Sequence, residues 1–291
     1  PSAPIRQAAC RVLAHTQGEG TESILTRVAG DEDSDVRYQA LVALHQIDIS
    51  EEELERVVAP RLQDSDPEVA VVAAQITAEH GWRRYAEAMV GIWERMTGEE
   101  RLQFAISLSE LIGEHGAEVD EETVDTLVDE LSEALEDEET TAGACRALVN
   151  LGSERALEPL RSVVDGWFVH PLLRLEAAGA LVELDDETGR QHLRDALDDN
   201  RDDVRGYALR LVGRLQLDEH FDHLVGRARS TGYDADNAIL ALAEWGSDEA
   251  LEVLEQIAES HPDEKLRQLA GRALVQRREL GEFDPEMFEF L

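Results

Sequence analysis

Apolar and small residues recur every fourth position along most of this chain, in stretches of about three helical turns separated by polar turns. Val36, Ala40 and Leu44 form one such stripe; Leu173, Ala177 and Leu181, Val204, Ala208 and Val212, Leu266, Ala270 and Leu274, and Ile5, Ala9 and Leu13 form others. A spacing of i, i+4, i+8 lines one side of an α-helix. The alanine at the centre of each stripe lets a neighbouring helix come close. No stretch alternates as a strand would.

The stripes are periodic at a longer range. Their first residues fall at Ile5, Val36, Val69, Phe104, Thr140, Leu173, Val204, Asp234 and Leu266, 30–36 positions apart. Thr140 and Asp234 break the apolar rule, yet the period runs through them. Each period has room for a second helix, expected at Thr21–Val28, Glu51–Leu62, Arg84–Met96, Glu121–Leu135, Glu154–Val164, Glu187–Leu197, Glu219–Arg229 and Asp248–Ala258. Between periods lie helix signals. Acidic clusters at Asp31 to Asp35, Asp64 to Asp66 and Asp198 to Asp203 read as N-caps. Pro67 and Pro171 suit a first turn, and Gly152 suits a C-cap. A fixed period of this length is the mark of a repeat array in which each helix pair buries its stripe against the next. The fold expected is all-α, an α-solenoid of about nine helix pairs over residues 1–280, with residues 281–291 as an aromatic, acidic tail. That tail reads either as a cap on the exposed end of the stack or as a short motif for another protein.

These strings resemble HEAT repeats, in particular the short bacterial and archaeal kind related to the phycobilisome-lyase repeats. The match is carried by Asp35-Val36-Arg37-Tyr38-Gln39-Ala40-Leu41-Val42-Ala43-Leu44, by Asp203-Val204-Arg205-Gly206-Tyr207-Ala208-Leu209, and by Leu151-Gly152-Ser153-Glu154-Arg155-Ala156-Leu157. The resemblance implies a right-handed superhelix whose concave face is lined by the second helices. It also implies a structural ladder in which Arg6, Arg37, Arg174, Arg205 and Arg267 join turn aspartates between repeats. It says little about activity, since one fold hosts many functions.

Charge adds a statement about solvent. The 291 residues carry 64 Asp+Glu against 27 Lys+Arg, a formal charge of −37, and Lys265 is the single lysine. Acids are spread over both halves. Such a surface suits a salt-rich solvent, where the Debye length is about 3 Å and neighbouring carboxylates barely repel. The expectation is therefore a halophilic or salt-adapted source, with an acidic surface kept for solubility or for a basic partner as the alternative. No apolar run nears the ~20 residues of a membrane span, and Pro1 to Arg6 has no signal-peptide core. A cytoplasmic protein with no membrane association is expected. Two cysteines, Cys10 and Cys145, exclude a disulfide framework.

Catalytic chemistry finds little support. There is no Gly-rich phosphate loop, no Gly-x-Ser-x-Gly elbow and no Cys–His nucleophile pair. His220 and His223 sit one helical turn apart with Asp222 between them, but two ligands do not complete a metal site, and both read as surface histidines. Asp31 to Asp35 imitates a calcium loop and fails at Val36, where glycine is needed, and at Val42, where a bidentate Glu is needed. Deoxyhypusine hydroxylase, an enzyme built from HEAT repeats, uses His-Glu pairs on its first helices. This chain has none; Glu79-His80, Glu114-His115 and Glu219-His220 are reversed and lie elsewhere in the repeat. No catalytic residue, cofactor or metal is expected.

Binding features remain. Glu118 to Glu139 holds 12 acids and no base, yet Val124, Leu127, Val128, Leu131 and Leu135 give it a helical stripe. It reads as a folded helix with an acidic face, for solvent or for a basic partner. Arg205, Arg210 and Arg214 form the best basic stretch, a weak footprint for nucleic acid. Trp245 stands where other repeats place a core leucine. Gly166-Trp167-Phe168-Val169-His170-Pro171 replaces an acidic turn with aromatics, which either anchor a partner or fold onto the adjacent repeat. The function expected is a non-catalytic scaffold for another protein, with Trp167, Phe168, His220, His223 and Arg227 as contacts. A lyase-like or enzyme-associated role in chromophore or cofactor attachment is the alternative, and nucleic-acid binding through Arg205–Arg214 a second.

Overall fold

The computed structural model describes residues 2–280 and residue 283, and every regular element among them is helical. Contacts divide the chain into two compact units, Pro1–Ala156 and Leu157–Leu291. The first holds α1 (Ala3–Thr16), α2 (Thr21–Val28), α3 (Ser34–His45), α4 (Glu51–Val58), α5 (Pro67–Glu79), α6 (Ala86–Trp93), α7 (Glu99–Gly113), α8 (Glu121–Glu133) and α9 (Thr141–Leu151). The second holds α10 (Leu157–Asp165), α11 (Pro171–Glu183), α12 (Glu187–Ala196), α13 (Asp202–Arg214), α14 (Phe221–Ala228), α15 (Ala235–Trp245), α16 (Asp248–Ser260) and α17 (Glu264–Leu280). This is the all-α solenoid the period predicts: nine first helices, α1 and then each odd-numbered helix, and eight second helices between them. Short 3-10 turns begin or end several second helices.

Within each unit the first helices lie side by side. In the first, α1 packs on α3, α3 on α5, α5 on α7 and α7 on α9; in the second, α11 packs on α13, α13 on α15 and α15 on α17. The alanine stripe causes this. Ala40, Ala73, Ala144, Ala177, Ala208, Ala238 and Ala270, each four residues after a repeat anchor, are all fully buried. Phe104 and Leu108 fill the same places in α7 and are buried too. Each unit has its own core cluster.

Caps fix the helix starts. Asp33 accepts from the Val36 N–H at 3.2 Å, Asp66 from Glu68 at 3.1 Å and Asp120 from Thr123 at 2.8 Å, as the sequence predicts for the first two. The Asp198–Asp203 cluster behaves differently: Arg201 is the N-cap residue, without a side-chain cap, and Asp199 instead takes the Arg201 N–H and guanidinium, each at 2.9 Å. Pro67 and Pro171 begin α5 and α11, and Gly152 ends α9 in the left-handed conformation.

Close helix approach demands glycine at several positions, Gly113 and Gly213 among them. A Cβ on Gly113 of α7 would stand 2.0 Å from the Asn150 carbonyl oxygen of α9, and one on Gly213 of α13 would stand 2.5 Å from the Ala241 carbonyl oxygen of α15. The tail expected over 281–291 lies outside the described residues, except that Phe283 packs partly buried against the second unit's core.

Candidate functional site

The exposed aromatics mark the candidate site. Trp167 is 88% and Phe168 97% exposed, in the turn between α10 and α11 of the second unit. The reading in which these rings fold onto a repeat is thereby corrected. Val169 folds in instead: its Cγ2 lies 2.5 Å from where a Cβ on Gly166 would be. The turn is held at both ends. The Val169 N–H donates to the Gly166 carbonyl at 3.3 Å, His170 caps α11 by accepting from Leu172 N–H at 3.3 Å, and Arg174 Nε donates to the Val164 carbonyl at 2.6 Å. Two large rings thus project from a braced turn, which limits the ordering cost of binding through them.

Tyr233, 88% exposed, occupies the corresponding turn between α14 and α15. The sequence reading passed over it, although its Thr231-Gly232-Tyr233-Asp234 setting signals a turn. Between these two turns in the chain, a cleft of about 250 Å³ is lined by Pro171, Arg174, His192, Asp199 and Arg201, among others. Burial, reinforced by the Arg174 charge, pushes the His192 pKa down. The Arg201 guanidinium holds Asp199 down to about 2.

The other candidates are only partly exposed. His220 ends a 3-10 turn and His223 lies on α14, both half-buried, and burial lowers the His220 pKa. Arg227 reaches Asp234 at 3.4 Å and Asp198 at 3.5 Å, with its Nε 3.4 Å from His223 Nε2. It ties turns of its own unit together. The Arg205–Arg214 stretch is similarly committed. Arg205 binds Asp234 and Asp202, Arg214 stands 3.9 Å from Glu176, and the charges of Arg210 and Arg214 act on the half-buried Glu244. No row of free guanidinium groups is offered to phosphate there.

The arginine ladder is real in part. Arg6 donates to Asp31 at 2.6 and 2.8 Å, Arg37 to Asp64 at 2.9 Å and Arg205 to Asp234 at 3.1 Å. Arg174 and Arg267 do not reach an aspartate. Arg174 donates to Val164 O, and Arg267 to His261 O at 2.5 Å and Pro262 O at 3.3 Å. The reason for Arg174 is local, since Asp199 in the following turn is held by Arg201. One rung went unread. Arg101 supplies the guanidinium of the fourth repeat from one helical turn earlier. It meets Glu130 at 2.8 Å and the Trp93 carbonyl at 2.9 Å, and lies over the Trp93 ring. The polar anchor at Asp234 is also explained: its buried carboxylate is shared by Arg205 and Arg227.

Among the described residues no helix is long and apolar enough to cross a membrane. A search of the curated proteins returns no match. Among solved structures the chain is similar to human deoxyhypusine hydroxylase in complex with glycerol, at 19% identity over 93% of this chain and 89% of that one, with a TM-score of 0.33. It is also similar to an engineered protein, at 18% identity over 95% and 96% of the two chains, with a TM-score of 0.37. The family model for HEAT repeats matches residues 1–78 and 124–213, more than half of the chain. With the stacked pairs, the buried alanine stripe and the Arg–Asp rungs already described, that match places this chain in the HEAT-repeat family.

Proposed function

We propose that this protein is a non-catalytic scaffold that binds another protein, with Trp167 and Phe168 as its anchor. The observation that carries the reading is their near-complete exposure on a braced turn. A folded chain leaves two adjacent large rings in water at a cost, and aromatic anchors of this kind dominate the energetics of protein interfaces. The polar cleft lined by Arg174, His192 and Arg201 supplies the rim. The lyase-like alternative rests on the repeat resemblance alone.

Affinity capture from a source extract tests the reading. The wild-type chain should retain a defined protein that the Trp167→Ser, Phe168→Ser double variant loses by about tenfold or more in affinity. The variant's own stability should stay within about 0.5 kcal/mol of wild type, because exposed side chains contribute little to folding. Equal retention by both proteins overturns the proposal.

We also infer adaptation to salt, from the formal charge of −37 and a basic complement of arginine with one lysine. Below about 0.1 M salt the screening length exceeds about 10 Å and surface carboxylates repel. Thermal unfolding should then occur at lower temperature than in about 1 M salt. An unchanged midpoint would refute this inference.

A further inference from the structure

We propose that the first unit carries a binding site for a divalent first-row transition ion, formed by Glu110, Glu114 and His115 at the C-terminal end of α7. One oxygen of each carboxylate and one ring nitrogen lie within 4.8 Å of one another. Two carboxylates with one imidazole suit Zn²⁺, Mn²⁺ or Fe²⁺ better than Mg²⁺ or Ca²⁺, which favour all-oxygen sets. Glu110 and His115 are half-buried and Glu114 is exposed, so the group is open to solvent on one side.

The surroundings make the arrangement costly without a cation. Glu110 and Glu114 lie at the negative end of the α7 dipole, and Glu79 lies at that of α5, where anions are disfavoured. Neither helix has a basic residue in its last turn. Glu110 is half-buried, with no hydrogen bond or ion pair to its carboxylate among the described residues. Glu110 and Glu79 also line a cleft of about 270 Å³. Local rules broken together in one place are the usual mark of a functional site.

The imidazole and the outer groups are positioned as well. His115 packs over the Gly81 backbone, where a Cβ would meet its Nδ1 at 2.6 Å. Gly81 also has φ +62°, so two separate constraints keep a side chain away from that ring. Glu79 is bonded in turn by His45 Nε2 at 2.7 Å. Such outer partners orient ligating groups in metal sites. His80 stacks on Trp82 and stands edge-on to His45. The Glu79-His80-Gly81 and Glu114-His115-Gly116 strings therefore end neighbouring helices α5 and α7 and face each other.

Titration calorimetry of the full chain with ZnCl₂ tests the site, in about 0.5 M NaCl so that diffuse attraction to the acidic surface is screened. One equivalent should bind. Glu110→Gln and His115→Ala should each weaken binding by about tenfold or more, while His223→Ala should leave it unchanged. Co²⁺ should give a visible d–d band that both site variants lose. Circular dichroism of each variant reports its fold, and Glu110→Gln conserves volume, so loss of binding can be told from unfolding. Unsaturable binding, equal binding by the site variants, or displacement of Zn²⁺ by a modest excess of Mg²⁺ would overturn the proposal.

Discussion

Replacing Asp64 with alanine should remove about 3–5 kcal/mol of stability from the first unit, the range seen when one partner of a buried ion pair is deleted. Asp64 is 3% and Arg37 9% exposed at the side chain. The carboxylate receives Arg37, Arg61 and the Asp66 N–H, while Arg37 also donates to the Asp31 and Glu32 carbonyls. Alanine leaves that guanidinium buried without its counter-charge. Replacing both partners, Arg37→Met with Asp64→Leu, should cost much less than the single change, since the desolvation of both charges vanishes. Urea unfolding followed by circular dichroism decides; a loss under about 1 kcal/mol for Asp64→Ala would show that the rung is ornamental. Acid should act on the same pair. Burial raises the Asp64 pKa, but bonds from Arg37, Asp66 N–H and Arg61 outweigh it and the net shift is downward. A lowered folded pKa gives stability that is fully present above the unfolded value near 3.9 and is lost as pH falls through the folded one. The first unit should therefore weaken below about pH 4, and Asp64→Ala should flatten that dependence.

Gly113→Ala should destabilise the first unit by up to about 2 kcal/mol, against the intrinsic preference of helices for alanine. That preference is worth about 1 kcal/mol in alanine's favour. Opposing it, the new methyl would lie 2.0 Å from the Asn150 carbonyl oxygen and 2.5 Å from its carbon, both backbone atoms of α9. Backbone cannot swing aside as a side chain can, so α7 and α9 must separate, and overpacking of this kind costs about 1–3 kcal/mol or more. Gly91→Ala, within α6, is the control. Its nearest outside atom is Arg95 Nη1 at 3.9 Å, so there the helix preference acts alone and stability should rise by up to about 1 kcal/mol. The opposite signs of the two changes, measured in one unit, separate close helix approach from propensity.

The sequence made the helices legible because their stripes repeat: the central alanine of a stripe becomes the point where two backbones meet. Arg37 and Arg205 were legible as rungs, since each follows an apolar anchor and faces an acidic turn. Arg174 and Arg267 carry the same signal, yet their partners depend on turn conformation. Arg201 captures Asp199 by a two-residue contact that spacing does not reveal. Arg101 was hidden because it enters its rung from one turn earlier on the helix. Trp167 and Phe168 stood out as aromatics in a polar setting, but only the tuck of Val169 over Gly166 decides that they face water. Glu110, Glu114 and His115 stand at i, i+4 and i+5 at the end of one helix, a spacing the sequence does hold, whereas the placing of Gly81 and Glu79 beside them needed the register of α5 against α7. In sequence, Glu114-His115 is merely a reversed pair, and the contribution of Glu79 crosses between helices.

A photo-crosslinking amino acid placed at position 168 in living cells gives the most direct test of the scaffold reading. One discrete protein adduct should form from position 168 and none from the exposed Glu249 of α16. No adduct from 168, or the same adducts from both positions, would contradict it.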